Sequence, residues 1–126
     1  MKRIIYSSGA PAPIGPYSQA VLTGQTLYVS GQIPIDPVSD TLISGDIVKE
    51  TEQVMMNLQA ILTEAGFELG HVVKCSIFIR RMSDFTRINE TYGRFFAAEP
   101  PARETVEVSG LPKNVNVEIS CIAVRP

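Results

Sequence analysis

Three residues near the C-terminal end carry side chains suited to small-molecule chemistry: Arg103, Thr105 and Glu118. Arg103 follows Pro100-Pro101-Ala102, where paired prolines stop whatever precedes them, since proline offers no donor N–H and restricts its predecessor. Arg103, Thr105 and Glu107 then alternate with Val106 and Val108, the pattern of a strand with one apolar face. A guanidinium can grip a carboxylate through two parallel charge-assisted hydrogen bonds, and a nearby glutamate can orient a water or move a proton. Strand parity alone leaves two readings of Arg103 open: a grip on a ligand's carboxylate, or a structural salt bridge to Glu118 or Glu107.

The surrounding chain defines what must hold these groups. Residues 3–6 read as an edge strand, and Gly9 to Pro16 as a Pro/Gly loop ending in Gly15-Pro16-Tyr17-Ser18. A hairpin follows, with strands 19–22 and 26–30 around Thr23-Gly24-Gln25. Ile47, Thr51, Val54, Met55, Leu58, Ile61, Leu62 and Ala65 recur at helical spacing, with Asp46 as N-cap and Gly66 as the left-handed stop. Val72–Ile79 alternates as a strand, with Val73, Cys75, Ile77 and Ile79 on one face. Ser83 or Asp84 caps a second helix whose apolar stripe is Phe85, Ile88, Tyr92, Phe95 and Phe96, with Asn89 beside it. Runs 102–108 and 115–124 close the chain, and their short connection predicts a hairpin.

Pairing Val108 with Val115 sets Val106 against Val117 and Thr105 against Glu118. It gathers Arg103, Thr105, Asn116 and Glu118 on one face, with Arg103 diagonal to Glu118. That face points away from the helices and also carries Ile122 and Val124, a mixture that predicts oligomerisation through it. The fold class is therefore α+β: a mostly antiparallel six-stranded sheet with two helices packed on one face, in one domain spanning residues 1–126.

Composition narrows the function. The chain has 126 residues and a net charge of -2, with no basic stripe, which argues against a nucleic-acid surface. Cys75 and Cys121 lack CxxC spacing, and a single histidine, His71, cannot complete a usual zinc set, so no metal is expected. Both cysteines fall at apolar parity and read as buried free thiols. No signal-peptide core or membrane-length apolar run occurs, and the expected location is cytoplasmic.

Four segments carry a family resemblance. Gly15-Pro16-Tyr17-Ser18-Gln19, Ser30-Gly31-Gln32-Ile33-Pro34, Pro101-Ala102-Arg103 and Val117-Glu118-Ile119, together with Asn89-Glu90-Thr91-Tyr92, resemble the Rid family of reactive intermediate deaminases, the YjgF-like proteins. The resemblance implies a chorismate-mutase-like fold and a homotrimer with sites in inter-subunit clefts. It implies cofactor-free hydrolysis of small 2-imino acids, the enamine/imine products of dehydratases, to 2-oxo acids and ammonia. Arg103 matches the family's essential arginine; Tyr17, Gly31, Asn89 and Glu118 match other cleft positions. Thr105 stands where many members carry cysteine, which rules out a thiol mechanism here, and Glu104 replaces a usually small residue. Two alternatives are a non-catalytic binder of small carboxylate metabolites or regulatory protein, and an endoribonuclease or translation inhibitor. The charge and the isolated histidine speak against the second.

Overall fold

The longest apolar stripe in the chain makes the longest helix. In the computed structural model, which describes all 126 residues, α1 (Ile47–Glu64) buries Ile47, Thr51, Val54, Met55, Leu58, Ile61 and Leu62. The Asp46 carboxylate accepts from the Val48 and Lys49 amides, satisfying donors that a helix start leaves unpaired. Gly66 stops the helix at φ +81°, where an L side chain would be strained. Phe67, 3% exposed, closes the last turn.

The stripe packs on a six-stranded sheet. In chain order the strands are β1 (Lys2–Ile5), β2 (Ala20–Thr23), β3 (Thr26–Gln32), the two-residue β4 (Ile35–Asp36) and β5 (Thr41–Leu42), then β6 (Val72–Ile79), β7 (Ala102–Glu107) and β8 (Val117–Val124). β4 and β5 pair only with each other; the main sheet runs β1-β2-β3-β8-β6-β7. A short 3-10 turn (Met82–Asp84) leads into α2 (Phe85–Gly93), between β6 and β7. Asp84 has helical dihedrals and no side-chain cap bond, so the expected cap is replaced by the turn. Phe95 and Phe96 lie past the helix end and pack against the core. Leu27, Val29, Cys75, Ile77, Ile79, Val117, Ile119, Cys121 and Ala123 form the middle of the sheet's contribution to that core, with Ile5, Ala20 and Val72 beside them.

Two expectations about the sheet fail. The last two strands do not form a hairpin: β6 lies between them, antiparallel to β8 and parallel to β7. Between the strands the chain passes through a 3-10 turn (Pro112–Asn114) with Lys113 and Asn114 at positive φ, which carries it away from β7 instead of folding it back. The register Val106 to Val117 therefore does not exist, and Val106 is exposed rather than part of an inner valine face. Val73 is also exposed, because the β6–β8 register shifts between Val72 and Lys74 and sends Val72 inward instead.

Candidate functional site

The parallel pairing of β6 with β7 decides where Arg103 points. Arg103 lies beside Cys75 and Thr105 beside Ile77. Cys75 and Ile77 face the helices, so Arg103 and Thr105 do too, on the edge strand of the sheet. The Arg103 guanidinium carbon sits 5.1 Å from the centroid of the Tyr92 ring and 5.9 Å from that of Phe85. Asn89 projects from α2 one turn after Phe85 and just before Tyr92, half-buried. No carboxylate lies within ion-pair distance of Arg103; the three salt bridges of the molecule join Lys74 to Glu104, Arg87 to Asp84 and Arg94 to Glu52. The hydroxyls of Thr105 and Tyr92 are buried and have no hydrogen-bond partner of ordinary geometry. Burial, and then the neighbouring Cys75 thiol, push the Tyr92 hydroxyl well above the usual phenol range. Burial likewise raises both cysteine thiols, so neither is a thiolate nucleophile near neutrality.

Glu118 occupies the opposite face. Its neighbours along β8, Val117 and Ile119, are buried toward the helices, and Glu118 pairs with Phe78 on the outer side. Desolvation raises its carboxyl above the ordinary carboxylate range. The β3–β8 register shifts between Val29 and Gln32, so Ser30 and Gly31 form a bulge against it. Gly31 leaves room for the Glu118 carboxylate: a Cβ at this position would overlap Glu118 Oε2, so a larger residue displaces that side chain. Ile14, Tyr17, Ser30, Gly31, Pro112 and Glu118 line a cleft of about 320 Å³.

The loop that brings Tyr17 to this cleft is held from inside by Gln19, which is 1% exposed. Its side-chain carbonyl accepts from the Ser7 amide at 2.6 Å, and its amide nitrogen donates to Ser7, Ala10 and Pro11 carbonyls at 3.1, 3.4 and 2.8 Å. The Tyr17 hydroxyl accepts from the Ile14 amide at 3.3 Å. Sequence periodicity gives no hint of Gln19's part, because the residue stands at the junction of loop and strand and serves neither pattern.

The expected cluster is thus split in two. One half-site holds Arg103, Thr105 and Asn89 on the helix side of the sheet edge. The other holds Tyr17, Gly31 and Glu118 on the outer face. Asn116, expected beside Arg103, instead donates its amide to both Glu50 oxygens at 3.1 and 3.3 Å and accepts from Arg81 at 3.2 Å. Glu104 points away from Arg103, to the outer face. There it bonds Ser76 and pairs with Lys74 at 3.0 Å, both of which hold its carboxyl low. Ile122, Val124 and Tyr28 share that outer face, as the sequence reading expected of Ile122 and Val124, and the last two are substantially exposed. His71 accepts from the Glu68 amide through Nδ1 and stacks edge-on against Phe67, far in sequence from either half-site.

Comparison with known proteins covers nearly the whole chain. A family model described as Endoribonuclease L-PSP matches residues 7–125. The protein DfrA of Myxococcus xanthus is 50% identical over 125 residues, covering 98% of this chain and 95% of the relative. The 2-iminobutanoate/2-iminopropanoate deaminase of Capra hircus is 43% identical over 125 residues, covering 99% of this chain and 91% of the relative. The solved structure of YyfA from Yersinia pestis, a protein of the conserved Rid family, is 44% identical with a TM-score of 0.96 and covers 99% of this chain and all of that one.

Proposed function

The chain belongs to the Rid family, the YjgF/RutC proteins whose family model bears the description Endoribonuclease L-PSP, and on that premise we propose that it hydrolyses small 2-imino acids to 2-oxo acids and ammonia. The observation that carries this reading is the state of Arg103: a half-buried guanidinium backed by two aromatic rings, with no protein carboxylate on its N–H fork. A fork left free in this way fits a substrate carboxylate.

In this reading the site is completed by a second copy of the chain. Arg103 and Asn89 of one subunit face Tyr17, Gly31 and Glu118 of the next, in a homotrimer assembled through the outer sheet face. That face supplies the apolar surface: Ile4, Val21, Tyr28 and Ile122 line up across four strands. Arg103 anchors the carboxylate. Glu118 takes a proton from a water as its oxygen bonds to the imine carbon, and passes that proton to the nitrogen that receives the C=N π pair, giving a carbinolamine. It then moves the carbinolamine hydroxyl proton to nitrogen as the carbonyl forms, the C–N bond breaks and ammonia leaves. Thr105 offers its hydroxyl or its amide to the carboxylate. The imine carbon is already electrophilic, so this chemistry calls for no cofactor.

The test couples a serine or threonine dehydratase to the protein and follows imine decay against spontaneous hydrolysis. Acceleration by the wild type, with Arg103→Ala reduced by roughly two to four orders of magnitude in kcat/KM, is the expected result. That range follows from two hydrogen bonds to a charged group at about 1.5–3 kcal/mol each. Equal decay with and without the protein would overturn the reading. If such a protein still bound a 2-oxo acid through Arg103, it would be a carboxylate binder instead. The family description raises cleavage of RNA as a rival, but a net charge of -2 and a single histidine engaged with the Glu68 amide give it no catalytic or electrostatic footing.

A further inference from the structure

We propose that Phe85 and Tyr92 are the positioning residues that fix Arg103 in its ligand-binding pose; this rests on the reading of Arg103 as the carboxylate anchor. An arginine side chain on an edge strand has many rotamers, and the entropy of fixing it on binding weakens the complex. Here the two rings stand seven residues apart on α2, two turns along one helix face, and both lie within cation–π distance of the guanidinium. Tyr92 is 4% exposed and locked among core residues, and Phe85 is partly buried against the same core. The rings are therefore rigid walls.

Cation–π contact has a second consequence that an ion pair lacks. A ring attracts the charge without accepting the in-plane hydrogen bonds of the fork. The carboxylates nearest along the strand are also engaged elsewhere. Glu104 is turned to Lys74 and Ser76 on the far face, and Glu107 accepts from the Met82 amide at 2.7 Å. Arg103 is held without being neutralised, and its donors stay available to a ligand.

The probe is 2-oxobutanoate, titrated into the assembled protein by NMR. Phe85→Leu and Tyr92→Leu are each expected to weaken binding by roughly 2- to 30-fold, the range for a cation–π contact between exposed and desolvated limits. Tyr92→Phe keeps the ring and is expected to bind as the wild type does. In the wild type the Arg103 side-chain protons are expected upfield of ordinary arginine positions, from ring currents, and Phe85→Leu shifts them back toward those positions. Should Tyr92→Leu fail to fold, Phe85→Leu, at a partly exposed position, carries the test. Wild-type affinity in folded Phe85→Leu and Tyr92→Leu, with Arg103→Ala unable to bind the probe, overturns this inference and leaves the anchor reading standing. Wild-type affinity in Arg103→Ala overturns both.

Discussion

Arg103 and Glu118 lie on opposite faces of the same sheet, with strand β6 between their strands: Arg103 is registered beside Cys75, and Glu118 beside Phe78. Alternate residues of β6 point to opposite faces, so this register alone keeps the two side chains apart within one chain. The two half-sites are consequently separable by mutation.

Gly31→Ala tests the second half-site. The added Cβ displaces the end of the Glu118 side chain, from which it would otherwise stand 2.1 Å. The backbone need not move, so a change in stability within about 1 kcal/mol is expected. Misplacement of a reacting group by about 1 Å is worth on the order of 100-fold, and a fall of about 10- to 100-fold in kcat/KM is expected. Kinetics and thermal denaturation of the same preparation check it; a loss of fold matching the loss of rate would contradict it.

Gln19→Ala tests the loop that carries Tyr17. The substitution leaves the Ser7 amide and the Ser7, Ala10 and Pro11 carbonyls without their side-chain partner. Orphaned buried groups cost about 1–3 kcal/mol each, and a net destabilisation of roughly 3 kcal/mol is expected as water re-enters. Urea denaturation measures it, and limited proteolysis is expected to cut first within residues 7–18.

Glu50 gives a pH signature away from both half-sites. Desolvation raises its carboxyl above 4.5 in the fold, more than the Asn116 hydrogen bond lowers it. The folded state then binds the proton more tightly than the unfolded state. Its contribution is fully present below the unfolded value and is lost as pH rises through the raised folded value. Relative to Glu50→Gln, the wild type is therefore expected to lose stability on going from pH 4.5 toward neutrality. Urea midpoints across that window check this, and a constant difference between the two proteins would contradict it.

How far the sequence could be read depended on how strongly each element was specified. The α1 stripe, the Asp46 cap, the Gly66 stop and the bounds of β6 follow from local rules, because period and capping chemistry act within a few residues. The pairing of β7 is not local. Its six residues ARETVE sit on the sheet edge with no fully buried position, so no face was marked as inner. The valines at 106 and 108 misled for that reason. The true cue, Arg103 and Thr105 in step with Cys75 and Ile77, exists only once the strands are parallel. Phe85 and Tyr92 were legible as a helix stripe but not as walls for Arg103, since that contact needs the same pairing.

Subunit mixing tests the proposed partnership of one subunit's Arg103 with another's Glu118. Arg103→Ala and Glu118→Gln, each expected to be nearly inactive alone, are unfolded together in equal amounts and refolded. A mixed ring contains interfaces where an intact Arg103 meets an intact Glu118, and random mixing in a closed ring makes these roughly a quarter of the total. Recovery of about a quarter of wild-type imine hydrolysis is the predicted result. A mixture as inactive as its two components, although shown by mass spectrometry to contain hybrid oligomers, would contradict it.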